Sequence, residues 1–195
     1  MDTSITSHRL HTNWIIWYHD PSDKNWTKGS YKSVLELNTL EDFIAIDNSW
    51  SQCLPLVTEG MYFIMRKIKK KVIYPLWEDE LNKAGGYWSF KVNNEDSQKI
   101  WSDLCKFLIG ETICNEDTML INGLSVSPKK KFCIIKIWNK ECSKDKIDLL
   151  NKELGSFLNI SECKYSSHSK NIKRDKDKVE RYKSRRKTNG RLTRF

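Results

Sequence analysis

The chain has 195 residues, with 34 Lys or Arg against 25 Asp or Glu, which is material for one ordinary domain and a tail rather than for two domains. Its net charge of +9 belongs to one end: from Ser169 onward twelve basic side chains face three acidic ones, and residues 1–168 balance to zero. No stretch reaches the roughly 18 to 20 apolar residues of a spanning helix, and the N-terminus lacks a basic region followed by an apolar run, so a soluble, unsecreted, cytoplasmic protein without membrane contact is expected.

Residues 1–12 are polar and read as a flexible arm. Trp14, Ile15, Ile16, Trp17 and Tyr18 then form a β-rich run that ends at the turn composition Asp20-Pro21-Ser22-Asp23. Tyr31–Leu37 predicts a second strand, after which Asn38 and Thr39 are placed to cap a helix with Leu40, Phe43, Ile44 and Ile46 at helical spacing and Glu41 and Asp42 in its first turn. Met61–Arg66 and Tyr87–Val92 predict further strands. Ile100, Trp101, Leu104, Phe107 and Leu108 predict a second helix closed by Gly110. Met119–Val126 and Phe132–Trp138 read as a strand pair around Ser127-Pro128-Lys129. A third helix is expected around Ile147, Leu150 and Leu154, and a last strand over Glu162–Tyr165.

Helices with one apolar face each can cover one side of a single antiparallel sheet and leave its other side open, which makes the fold class α+β. The domain is set at 13–168. The tail, 169–195, has too few apolar side chains to offset ordering and is expected to be mobile, with a partial helix over Arg181–Lys187 when an anionic partner binds.

Six cysteines without a C-x-x-C pair read as reduced, mostly buried thiols. His8-x-x-His11 lacks companion ligands for a tetrahedral metal set, so neither a metal nor a cofactor is expected.

Among eight tryptophans, Trp14, Trp17, Trp88 and Trp101 lie inside apolar runs and are expected in the core. Trp26, surrounded by Lys24, Asn25, Thr27 and Lys28, and Trp77, followed at once by Glu78, Asp79 and Glu80, read as loop rings available to a ligand. A ring beside carboxylates suits a planar cation.

The run Trp77-Glu78-Asp79-Glu80, Asn82-Lys83, Gly85-Gly86-Tyr87-Trp88 resembles the most characteristic segment of the eukaryotic translation initiation factor 4E family. His8-x-Leu10, Trp14-x-x-Trp17, Trp26, Glu41-Asp42-Phe43, Leu108-Ile109-Gly110-Glu111, Ile137-Trp138 and Ser167-His168 follow in that family's order, so the resemblance covers about residues 8–168. It implies a curved antiparallel sheet with three helices on its convex face and, on the concave face, the 7-methylguanosine cap of mRNA held between Trp26 and Trp77. Methylation at N7 gives guanine a delocalised positive charge that two indole faces attract. The resemblance further implies that Glu78 accepts from the guanine N1–H and exocyclic amine, and that Trp138 meets the N7 methyl group. Lys129, with Lys131 and Lys136 nearby, is expected to hold the phosphates. A later phosphate-contacting lysine of the family falls on Ile134, for which Lys136 is placed to compensate, and an arginine after the Gly-Gly pair is here Tyr87.

Family members also receive a scaffold, initiation factor 4G, on the helical face. The candidate positions are His8, Leu40 and Ile44, with Ile44 where the family has a tryptophan and Ser102 and Lys106 where it has leucines. The expectation is weak or no binding of an ordinary 4G peptide, and a diverged scaffold or regulator in its place. The reading is therefore a monomeric, non-enzymatic cap-binding module in translation initiation. Its alternatives are a cap-sequestering regulator and a general RNA binder working through the basic tail. A cap hydrolase or methyltransferase needs a carboxylate cluster or a Gly-rich loop, and neither is evident.

Overall fold

The computed structural model describes residues 7–189 apart from Ser51 and Glu116, and side chains as far as Tyr182; the first six residues of the expected arm and the last six of the expected tail lie outside the described residues. Strand β1, Arg9–His19, pairs with β2, Lys32–Thr39, and with β3, Met61–Ile68, which also carries the two-residue β4, Lys71–Val72. The sheet continues through β6, Ile121–Pro128, and β7, Phe132–Asn139, to β5, Gly86–Asn93, and β8, Lys164–Ser167. All pairings are antiparallel, in the order β2-β1-β3-β6-β7-β5-β8. Among the described residues the three α-helices are α1, Leu40–Ser49, α2, Asn94–Ile109, and α3, His168–Asn189.

The period-2 alternation of the strands divides the interior into two layers. Trp14, Ile16, Ile64, Trp88, Phe90, Leu124 and Ile137 pack under α1 and α2 in the larger core, where Trp50 and Trp101 meet edge to face at 6.0 Å. The residues one step along each strand, Ile15, Trp17, Phe63, Met65, Tyr87 and Trp138, form a second cluster on the opposite face, and Trp77 packs on its rim.

Helix α1 starts where its sequence predicts. Thr39 Oγ1 accepts from the Asp42 amide at 3.1 Å while the Asp42 carboxylate accepts from the Thr39 amide at 2.9 Å, a reciprocal cap that satisfies two otherwise unpaired donors. Helix α2 ends at Gly110, but the left-handed backbone falls one residue later, on Glu111 with φ 55°. A non-glycine residue is costly there, and it is held by the Arg66 guanidinium, whose two terminal nitrogens donate to the Glu111 carboxylate at 2.6 and 2.8 Å.

Two expectations are corrected. Residues 147–154 do not form a helix; they make short 3-10 turns at Ile147–Leu149 and Lys152–Ser156. The apolar residues Leu150 and Leu154 are buried as their spacing requires. The backbone, however, is pinned to the segment after α2: the Asn115 amide donates to Leu149 O at 2.9 Å and the Asn151 amide to Ile113 O at 3.0 Å, with a bridge between Cys114 and Leu150. The third helix is instead the basic C-terminal segment, helical over His168–Asn189 where mobility was expected. At the other end, residues 9–12 of the expected arm belong to β1.

Of the six cysteines, all free, Cys105, Cys114 and Cys133 are buried, whereas Cys53 and Cys142 are exposed. Among the described residues no helix is long and apolar enough to cross a membrane.

Candidate functional site

Two loops rise from the face opposite α1 and α2, and each carries one of the singled-out tryptophans. In the β1–β2 loop, the Asp20 carboxylate accepts from the Ser22 amide and hydroxyl at 2.8 and 2.7 Å, and the Asp23 carboxylate accepts from the Asn25 amide at 2.8 Å. These side chains fold the chain back locally, as Asp does in turns. His19, the next outward step after Ile15 and Trp17 on β1, is fully buried, with a ring nitrogen 2.9 Å from Asn25 O. Trp26 stacks on it, ring centroids 4.1 Å apart and planes 3° apart, and remains 51% exposed. One indole thus rests on an imidazole and is still half open to solvent.

The β4–β5 loop holds Trp77. Its frame is Asn82, fully buried, whose side-chain amide donates to Tyr74 O at 2.8 Å and Leu76 O at 2.9 Å and accepts from Asn122 of β6 at 2.9 Å. Asp79 accepts from the Tyr74 and Leu81 amides at 3.2 and 3.0 Å. Trp77 is thereby fixed half-buried at the rim of the second cluster, with Glu78 exposed beside it. The Gly85-Gly86 pair that follows is required by close backbone approach: a Cβ on Gly85 would lie 1.9 Å from Asn139 O, and one on Gly86 would lie 2.4 Å from the Tyr165 hydroxyl.

Several contacts draw the two loops together. Lys28 Nζ lies 4.5 Å above the Tyr74 ring, and Tyr74 packs on Trp17 at 5.1 Å. Tyr31, 6.3 Å from Trp26 and 5.0 Å from His19, has its hydroxyl pushed far up by burial and then by the charge of Glu78. The carboxylate after Trp77 therefore shares its surroundings with the ring that supports Trp26.

The expected phosphate cations divide. Lys129 and Lys131 are exposed in the β6–β7 turn, where the Lys129 amide donates to Phe132 O at 2.8 Å. Lys136, mid-strand on β7, points into the second cluster with its Nζ 4.4 Å above the Tyr87 ring and 6.0 Å from Trp77. Burial lowers its pKa to about 8, helped by the charges of Lys129 and Arg174. Trp138 is almost wholly buried; its Nε1–H donates to Ser125 Oγ at 2.9 Å and its ring lies 6.1 Å from Tyr87 and 4.8 Å from His168.

Sequence reasoning did not single out His19, Tyr87 or the start of α3 as parts of this site. For His19 the signal was present, since the alternation Ile15, Trp17, His19 places it on the ligand face. Tyr87 registered only as a missing arginine. His168 is fully buried against Trp138 and Tyr87, and burial and then Lys136 push its pKa down to about 3, so it stays neutral.

A second surface lies on the side of α1 and α2. A groove of about 660 Å³ is lined by His8, Leu10, Leu40, Phe43, Lys106 and Ile109. Leu40 and Ile44 are 40% and 50% exposed, and His8 Nδ1 sits 2.6 Å from the Glu41 carboxylate, which that contact holds at about 2. Ser102 donates to Asp47 at 2.9 Å and Lys106 pairs with Asp103 at 3.1 Å, so the two positions that differ from the family's leucines have polar partners of their own. Among the described residues no group of three or more His, Cys, Asp or Glu is placed to hold a metal ion.

Compared with known proteins, the chain matches over residues 9–183 the family described as Eukaryotic initiation factor 4E. It is 29% identical over 163 residues to eukaryotic translation initiation factor 4E of Candida albicans, covering 80% of this chain and 75% of that one. The corresponding protein of Saccharomyces cerevisiae is 33% identical over 148 residues, 73% of this chain and 66% of that one. Among solved structures, Ascaris suum eIF4E-3 in complex with an m2,2,7G cap superposes with a TM-score of 0.67 at 24% identity, covering 84% of this chain and 92% of that one. Caenorhabditis elegans eIF4E-3 in complex with the 4E-binding protein Mextli and a cap analog gives 0.68 at 24% identity, covering 86% and 96%.

Proposed function

This chain belongs to the eukaryotic initiation factor 4E family, and on that premise we propose that it binds the 7-methylguanosine 5′ cap of mRNA in translation initiation. What supports the proposal is that two loops, one carrying Trp26, 51% exposed, and one carrying Trp77 at the rim of the second cluster with Glu78 beside it, are joined by Lys28 over the Tyr74 ring, with Lys136 6.0 Å from the Trp77 ring.

In this reading the methylated base enters between Trp26 and Trp77. Each stacked face contributes roughly 1 to 3 kcal/mol, and the charge on the methylated ring adds about 2 kcal/mol once water is excluded. Glu78 accepts from N1–H and the exocyclic amine, charge-assisted bonds of about 1.5 to 3 kcal/mol that adenine cannot donate. Trp138 forms the floor beneath the methyl group, and Lys129, Lys131 and Lys136 neutralise the phosphates. The protein acts as a cytoplasmic binding module without turnover. Retention on immobilised 7-methyl-GTP, with release by free 7-methyl-GTP and not by GTP, tests the proposal; release by both nucleotides alike would reject it.

The state of Lys136 gives a pH dependence. A bound phosphate favours the ammonium form, and free Lys136 loses its proton near pH 8, so binding takes up a proton above that pH and affinity falls as pH rises through it. The N1 proton of the ligand titrates in the neighbouring range and is common to all variants, so the measurement is a comparison. Lys136→Arg, charged throughout, is expected to lose less affinity than the wild type between pH 7 and pH 9 by calorimetry with 7-methyl-GTP. Identical profiles would contradict the role of Lys136, as would a Lys136→Ala variant with unchanged affinity.

The opposite surface favours a diverged partner or a cap-sequestering regulator over an ordinary 4G scaffold. Ile44 and Lys106 present less apolar area than a tryptophan and a leucine, and Lys106 carries a charge toward any docking helix. A 4G-type peptide is expected to bind more weakly than micromolar in calorimetry. The double substitution Ile44→Trp with Lys106→Leu is expected to tighten it by about tenfold or more, from the added apolar burial. Micromolar binding by the wild type would overturn this.

A further inference from the structure

His19 makes contacts that a residue filling the core would not need. It closes β1, pairs with Met61 of β3 and is fully buried. An apolar side chain would satisfy such a position. The imidazole instead leaves its Nδ1 buried without a hydrogen-bond partner among the described residues, a cost that calls for a compensating role. The compensation lies in the loop that follows. Nε2 is 2.9 Å from Asn25 O, and because a carbonyl only accepts, the ring proton sits on Nε2. The imidazole plane is 3° from that of Trp26, with centroids 4.1 Å apart.

These two contacts act on adjacent residues: one fixes the backbone just ahead of Trp26 and the other fixes its ring. Other hydrogen bonds of the loop stay local. The Asp23 amide donates to Asp20 O and the Ser30 amide to Thr27 O, both at 3.0 Å, and the Asn25 amide donates to the Asp23 carboxylate. Those bonds shape turns within the loop, whereas the bond from His19 ties it to a strand. Behind His19 the support continues into the sheet. Tyr31 meets His19 at 5.0 Å, Phe63 meets Tyr31 edge to face at 5.4 Å, and Trp138 meets Phe63 at 6.4 Å. The ring beneath Trp26 is thus wedged against the rigid part of the fold, while Tyr31, the other ring near Trp26, is 6.3 Å away and tilted.

We propose that His19 is a positioning residue for cap binding: it holds Trp26 in its stacking orientation before the ligand arrives, covering one indole face and leaving the other for the methylated base. The consequence is thermodynamic. A loop ring that swings among orientations binds only from the correctly placed fraction, and the apparent affinity falls by that fraction. A ring already stacked on a strand residue avoids that ordering cost.

This role presupposes that Trp26 stacks on the cap, and the two readings fail differently. The first measurement is NMR of the ligand-free full chain, where nuclear Overhauser effects between the His19 imidazole and the Trp26 indole protons are expected; their absence overturns the proposal. The second is calorimetry with 7-methyl-GTP for His19→Leu, His19→Phe, Trp26→Ala and the double variant His19→Leu with Trp26→Ala. His19→Leu fills the buried space but offers neither a plane nor a donor, and it should bind about tenfold more weakly, as when about a tenth of the molecules keep Trp26 in place. His19→Phe restores the plane and should recover most of the loss. In the Trp26→Ala background, His19→Leu should cost less than about twofold, because the two residues act as a unit. Unchanged affinity in His19→Leu, a His19→Phe variant no better than His19→Leu, or an equal loss with and without Trp26 overturns the role and leaves the cap reading intact. A wild-type protein that does not prefer 7-methyl-GTP over GTP overturns both.

Discussion

Trp77→Ala is expected to weaken binding of 7-methyl-GTP by about one to three orders of magnitude while leaving the fold in place. The side chain sits at the rim of the second cluster, in a loop framed by Asn82, Asp79 and Asn122, none of which uses the indole to make its hydrogen bonds. The loop should therefore keep its course when the ring is removed. What is lost is one stacked face and about half of the cation–π attraction, about 2 to 4 kcal/mol in all. By the usual conversion this weakens 7-methyl-GTP binding by roughly thirtyfold to a thousandfold. GTP, which never gained the charge-dependent part, should change less. Calorimetry of the variant, with circular dichroism to show an intact fold, checks this; a loss below about threefold would remove Trp77 from the site.

The largest effect on stability is expected far from that site, at Glu111. Its carboxylate accepts from both terminal nitrogens of Arg66 and from the Thr12 hydroxyl. Arg66 is nearly without solvent contact, donates also to Ile121 O and Thr118 O at 2.9 Å each, and lies 4.2 Å over the Trp14 ring. This arrangement joins β1, β3, the end of α2 and the entry to β6. Truncating one member of a buried pair leaves the other charged and unpaired, at a cost of about 3 to 5 kcal/mol. Glu111→Leu should therefore lower the melting temperature on the order of 10 °C for a domain of this size. The double variant Arg66→Met with Glu111→Leu should recover most of the loss, because two apolar side chains of similar volume remove the desolvation cost together. A Glu111→Leu melting curve superposing on that of the wild type would contradict the account.

The sheet was legible in the sequence where the pattern is strict. The apolar run Trp14 to Tyr18 placed the body of β1, and Asn38 and Thr39 as candidate caps marked the start of α1 within a residue. Residues 147–154 were misread because Ile147, Leu150 and Leu154 do satisfy helical spacing. The deciding interactions are backbone hydrogen bonds to residues 113–115, which leave no trace in local pattern. The C-terminal helix was missed for the complementary reason: its composition argues for disorder, and its order begins with buried contacts made by His168 and Asn171 to Trp138 and Tyr87, residues 30 and 84 positions earlier.

The candidate site was legible to the same uneven degree. The loop tryptophans stood out because charged or polar residues adjoin them in the sequence, whereas the role of Glu78 entered the reading only through the family resemblance. The supporting ring of His19 followed from alternation and was not drawn.

The central claim is a preference for a methylated, positively charged guanine, and titration of the wild-type protein with 7-methyl-GTP and with GTP, followed by tryptophan fluorescence, tests it most directly. A base that stacks on Trp26 and Trp77 should quench them at micromolar or lower 7-methyl-GTP, and GTP should require about thirtyfold more, the ratio that a cation–π contribution of about 2 kcal/mol predicts. Equal quenching by the two nucleotides, or none by either, would contradict the account and leave a 4E-family fold without its cap site.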